Sequence, residues 1–100
     1  MAENKTLTGR IKEILQIEIE DEQLDRKIYI TAKALIGSME RGGAVFDKAD
    51  DYAMISDSEL FCVSTGVNDL LFNRAGESKL SPAYMMLSQQ LCTGNEVSHE

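Results

Sequence analysis

The sequence predicts an α+β domain: two N-terminal helices, a small antiparallel three-stranded meander and two short C-terminal helices. Three observations lead there. Apolar residues recur at helical spacing from Ile11 to Met39. Short runs rich in Val, Ile, Phe and Tyr alternate with polar gaps between residues 44 and 65. Ser81-Pro82 then opens a last helical pattern. An all-α arrangement is the alternative, and it turns on how residues 44–65 are read.

In TGRIKEILQIEIE, Ile11, Ile14 and Leu15 share one face of a helix that starts near Thr8 and continues toward Ile19. Ile17 and Ile19 alternate with Glu18 and Glu20, a strand-like touch, but good helix formers around them favour helix. The next segment, DEQLDRKIYITAKALIGSMERGG, carries a stripe of Leu24, Ile28, Thr31, Leu35 and Met39. Asp21 suits the N-cap, and Glu22 and Asp25 suit the positive end of the helix. Lys33 and Arg41 lie toward the other end, and Gly42-Gly43 supplies the stop. Ile30 and Ile36 fall off the stripe, so this helix should meet two neighbours or a second subunit.

Residues 41–66, RGGAVFDKADDYAMISDSELFCVSTG, allow two readings. As strands they divide into AVF, YAMI and LFCVS, separated by the turn-formers DKADD and SDSE. As a helix, Ser56 followed by Glu59 is a capping box before Leu60, Val63, Val67, Leu70 and Leu71. That helix would carry Ser64, Thr65 and Gly66, three poor formers, in its middle. The meander is therefore preferred. VNDLLFNRAG then reads as a short helix ending near Gly76, and SPAYMMLSQQLCTG as one capped by Ser81 and ended by Gly94. Tyr84, Leu87 and Leu91 form its stripe.

One hundred residues fit one domain, with residues 1–5 and 95–100 as flexible tails. A chain this short buries only about two thirds of its unfolded surface, so a homodimer is expected. Seventeen carboxylates against ten Lys and Arg leave a net charge of −7, and after residue 50 the only bases are Arg74 and Lys79. Such a chain is repelled by nucleic acid and by anionic membrane surfaces. There is no apolar signal core and no membrane-length run, so a cytoplasmic setting with reduced Cys62 and Cys92 is expected.

Motifs for chemistry are missing. His99, the single histidine, falls in the expected tail, which leaves Cys62, Ser64 and Thr65 without an anchored base. No P-loop or GxGxxG occurs, and Gly42-Gly43 follows a helix. Counted from Asp47, a calcium loop would need glycine at Tyr52 and glutamate at Ser58. No cofactor, metal or catalytic residue is assigned, and the chain is read as a non-enzyme.

What remains is binding. EIEDEQLD packs Glu18, Glu20, Asp21, Glu22 and Asp25 together, a patch suited to covering a basic surface on a larger protein. Methionines should mostly fill the core, but adjacent Met85 and Met86 cannot point the same way, so at least one should reach a subunit interface. Small size, acidity and no anchored catalytic group are shared with many phage- and plasmid-borne inhibitors, anti-CRISPR and nucleic-acid-mimic proteins among them. That likeness is of type, with no motif behind it. The rival readings are a homodimeric assembly subunit, a small-ligand module in which Cys62, Ser64, Asp69 or Tyr84 converge, and a helix-turn-helix over residues 60–75 turning at Gly66.

Overall fold

A computed structural model gives the fold and describes residues 6–72 and 80–97, with the side chains of the last helix described to Cys92. Among these residues there is no strand. The elements are α1 (Leu7–Leu15), α2 (Glu22–Arg41), the four-residue turn α3 (Ala49–Tyr52), α4 (Asp57–Leu71) and α5 (Pro82–Val97). The fold is all-α, and the expected meander does not form.

α1 begins where Thr6 accepts the Gly9 N–H at 3.0 Å. It stops sooner than the expected run to Ile19. Gln16 turns left-handed at φ 61°, the Gln16 N–H donates to the Glu13 carbonyl at 3.2 Å, and the Ile17 N–H donates to the Lys12 carbonyl at 2.9 Å. This pair of bonds is the Schellman closure, here without a glycine. Residues 17–20 leave the helix, and the alternation of Ile17 and Ile19 with glutamates was the trace of that exit.

α2 runs as its caps predict. Asp21 accepts from the Gln23 and Leu24 N–H groups, and Gly42 closes the other end, followed by Gly43 at φ 113°. Ile28, Ala32, Leu35, Ile36 and Met39 are buried. Of the two off-stripe residues, Ile36 joins the core and Ile30 stays 57% exposed. Thus the second apolar face is half internal.

Between α2 and α4 the chain is an extended strap. Ala44 and Phe46 are buried while Val45 is 70% exposed, the two-residue alternation of a strand with no strand beside it. Ile55 plugs into the core at the far end. Arg10 of α1 ties this end down: its Nη1 donates to the carbonyls of Ala53 and, at 2.8 Å, Ile55. Its Nη2 reaches Asp57 Oδ1 at 3.3 Å.

α4 begins at the capping box, with Ser56 and Glu59 each bonding the other's backbone N–H at 3.2 and 3.0 Å. It then continues without a break through Ser64, Thr65 and Gly66. The separate helix expected from Val67 is its second half. It ends at Leu71, and Gly76 lies outside the described residues. A helix-turn-helix bend at Gly66 is also absent.

The reason is packing. α4 lies at the centre, against α1, α2 and α5. A methyl group on Gly66 would lie 2.7 Å from Leu35 Cδ1 of α2 and 2.8 Å from the Tyr84 ring of α5. A methyl there would have to push the Leu35 and Tyr84 side chains aside, so tertiary contact overrides a helix-propensity cost of about 1 kcal/mol. Thr65 Oγ1 donates to the Phe61 carbonyl at 2.9 Å, which satisfies its hydroxyl within the helix.

α5 opens as predicted, with Ser81 Oγ accepting the Tyr84 N–H at 3.2 Å and Pro82 first in the helix. Asp69 of α4 holds that cap, accepting from Ser81 N and Oγ at 3.0 and 2.6 Å. The helix passes the expected stop at Gly94 and reaches Val97, so residues 95–97 are helical rather than tail. The rest of the expected tails, 1–5 and 98–100, with His99, lie outside the described residues.

Two substitutions test the central helix. Overpacking costs about 1–3 kcal/mol, and alanine's better propensity returns about 1 kcal/mol, so Gly66→Ala should lower stability by up to about 2 kcal/mol in urea melts. A more stable variant would refute the close crossing. Ser64 is fully buried, and its Oγ has no hydrogen-bond partner among the described residues. Ser64→Ala removes that unpaired hydroxyl and should raise stability by about 1 kcal/mol.

Candidate functional site

The Schellman exit from α1 aims the acidic segment. With Gln16 left-handed, Glu18, Ile19 and Glu20 stand in an open link before α2, all exposed. Lys12 fixes the link from inside, its Nζ donating to the Ile19 carbonyl and to Asp25 Oδ1, both at 2.8 Å. Asp21 is used as the N-cap. The five predicted carboxylates therefore divide. Asp21 and Asp25 hold the junction together, whereas Glu18, Glu20 and Glu22 face solvent. Between the glutamates Ile19 is 65% exposed, an apolar knob in an anionic frame. A trough of about 600 Å³ runs alongside, lined by Gly9, Lys12, Glu13, Gln16, Ile17, Glu18 and Glu20.

No protein-family model, curated protein or solved structure matches the chain, so function is argued from its own residues.

Other predicted residues disperse. Met39 is buried as expected, but Met54, Met85 and Met86 are each more than half exposed. The methionines thus supply surface more than core, and both Met85 and Met86 face outward. Elsewhere, Phe61 and Cys62 of α4 with Leu87 and Leu91 of α5 line a hollow of about 350 Å³.

The ligand-pocket reading needed Cys62, Ser64, Asp69 or Tyr84 to converge. Asp69 is taken by the Ser81 cap, Ser64 is sealed in the core, and neither lines the hollow that Cys62 borders. Cys62 and Cys92 do approach a common point. Cys62 Sγ lies 3.8 Å from Met39 Sδ, and Cys92 Sγ donates to the Met39 carbonyl at 3.5 Å. Burial, with Cys92 nearby, pushes the Cys62 thiol up to about 11. Burial, with both thiols nearby, pushes the Tyr84 hydroxyl up to about 12. These are inert groups near neutral pH.

One cluster escaped sequence reasoning. Tyr29 and Lys33, one turn apart on α2, grip Asp51 of α3. Tyr29 Oη donates to Asp51 Oδ2 at 2.6 Å, and Lys33 Nζ donates to Asp51 Oδ1 at 3.0 Å and to Tyr29 Oη at 3.1 Å. The ammonium lies 4.8 Å from the Tyr29 ring centre and 5.3 Å from that of Tyr52. The Tyr29 and Lys33 bonds hold the Asp51 carboxyl below its ordinary value. The Tyr29 and Asp51 bonds raise Lys33. The i, i+4 pair on α2 was visible in the sequence, but its third member was not.

Two expectations follow from the thiols. In the folded chain at mildly alkaline pH, iodoacetamide should label half-buried Cys92 well before Cys62; equal rates would contradict the packing around Met39. Both Cys62 and Tyr84 titrate higher folded than unfolded, so the folded state binds more protons once pH passes about 9. Stability should be full below that and fall as pH rises toward 11, as urea melts at stepped pH will read.

Proposed function

We propose that this chain is a non-enzymatic protein-binding domain that covers a basic surface on a larger protein, in the manner of small acidic inhibitors. The observation that carries the reading is the outward display of Glu18, Ile19, Glu20 and Glu22 on a link pinned by Lys12 and capped by Asp21. An apolar anchor within a charged frame is the anatomy of a protein interface. Carboxylates at its rim steer a Lys/Arg surface into register more than they add affinity. Pinning lowers the ordering cost on capture. No helix among the described residues is long and apolar enough to cross a membrane. The proposal sets the chain in the cytoplasm, where the unpaired thiols of Cys62 and Cys92 would persist.

A second reading, self-association, draws on the exposed apolar side chains of α4 and α5, Phe61 on one and Met85 and Met86 on the other, each more than half exposed. A homodimer would cover these apolar side chains. Light scattering on the wild type and on Met85→Glu separates the readings, since a dimer through this side should dissociate in the variant.

The principal test avoids the two structural carboxylates. Partners captured from the host are identified by mass spectrometry and titrated with the Glu18→Gln/Glu20→Gln/Glu22→Gln chain. Thermal stability should stay within about 0.5 kcal/mol of wild type, as for ordinary surface changes. Affinity should fall at low salt and its salt dependence flatten. Unchanged affinity at both low and high salt would overturn the proposal. Ile19→Asp should weaken capture at any salt.

A further inference from the structure

The α3 turn is wound the wrong way. Asp50 has φ 53° and ψ 41°, Asp51 φ 57° and ψ 51°, and Tyr52 φ 69°. Three successive non-glycine residues thus occupy the left-handed region, which costs L-residues energy at each position. Local bonds repay it in part, the Ala49 N–H donating to Asp47 Oδ1 at 2.9 Å. The Tyr52 N–H to Lys48 carbonyl bond is long at 3.4 Å, and Ala53 N–H to Asp50 carbonyl is 3.1 Å. From Asp47 to Asp51 every residue is exposed, and Tyr52 is only half-buried. A hollow of about 230 Å³ lined by Thr6, Leu7, Thr8, Tyr29, Asp50 and Asp51 borders the turn, and of residues 47–52 it is Tyr52 alone that packs against the core.

What holds it lies on α2. Asp51 is gripped by Tyr29 and Lys33, and Tyr52 Oη donates to Glu40 at 3.3 Å. The segment is bounded by two buried anchors, Phe46 before it and Ala53 after it. Arg10 fixes the Ala53 end through that residue's carbonyl. Between the anchors, the backbone strains against a side-chain latch.

We propose that residues 47–52 are a latched strap: closed, the Asp51 carboxylate neutralises Lys33; open, the turn relaxes out of the left-handed region while the helices stay folded. Opening carries the Tyr52 ring away and uncovers the Lys33 ammonium beside the Tyr29 ring, a cationic and aromatic patch on a strongly anionic chain. Such a segment, short on buried apolar contacts and set between rigid anchors, is the kind that opens locally. The strap's closure and Lys33's protection are then one equilibrium, so what favours one must favour the other.

The reciprocity gives a test on the full-length chain. Asp50 is not one of the three latch residues, Tyr29, Lys33 and Asp51, and glycine is at ease at its φ. Asp50→Gly should therefore close the strap further. Two readouts follow it: amide exchange at Tyr52 and Ala53, and acylation of Lys33 by an N-hydroxysuccinimide ester read by mass spectrometry. Both should slow by about fivefold, in keeping with one relieved left-handed residue. Tyr29→Phe removes one latch oxygen and should speed both by on the order of tenfold, the scale of a charge-assisted hydrogen bond. Amides within α2 and α4 should stay within about twofold of wild type, because the release is local. Should Asp50→Gly leave Lys33 acylation unchanged or faster, the strap and latch are not coupled and the proposal fails. Should Tyr29→Phe speed exchange across α4 equally, the motion is global unfolding and it fails as well.

Discussion

The close crossing at Gly66 is the constraint on which the rest depends. α4 touches α1, α2 and α5, and at its middle the backbone comes near enough to Leu35 and Tyr84 that even a methyl group would displace their side chains. Val63 and Val67, fully buried on either side, set the same face against the core. Moving α4 outward to admit a larger residue would open gaps around both, and close-packed interiors do not tolerate such gaps cheaply. The position of α5 follows from the same contact, since Tyr84 is its buried anchor and Asp69 holds its cap.

That crossing also explains which parts of the fold were legible. Helix ends written in capping chemistry at Asp21 and Ser81-Pro82 were read correctly, each acting within a few residues of itself, whereas the Ser56–Glu59 box was noticed and then passed over for the meander. Residues 44–65 misled because two local signals had non-local causes. Alternation at Ala44, Val45 and Phe46 reflects a strap laid on a helical core, where period two needs one buried side and no strand partner. Ser64, Thr65 and Gly66 look like helix breakers until the neighbours that require a small residue are known. Propensity measures the isolated chain, and here the crossing outweighs it. The Gln16 stop was hidden for another reason: a left-handed cap without glycine leaves no mark in composition.

The candidate site shows the same division. Exposure of the acidic run could be inferred from charge, but the roles of its members could not. Asp21 and Asp25 were separable from Glu18, Glu20 and Glu22 only once Lys12 and the α2 N-terminus were seen to claim them. The grip on Asp51 joins positions more than a dozen residues apart in sequence, and no periodicity in the chain announces it.

The surface charge of this protein is sharpened by where its bases go. Arg10 turns inward to carbonyls of the strap, Lys12 to the Ile19 carbonyl and Asp25, and Lys33 to Tyr29 and Asp51. Each of these cations is committed to a fastening contact, and Lys12 makes its own beside the glutamates that flank Ile19. Their carboxylate partners are fixed in the same act, so the fold sorts acids into those that hold it and those that project from it. An anionic display of this kind needs no pocket and no shifted carboxylate. It needs a rigid link that keeps like charges in place despite their repulsion, and Lys12 supplies that restraint at the centre of the segment. The junction's stability and its outward charge therefore have one origin, the inward turning of a few basic side chains in a chain that has few to spend.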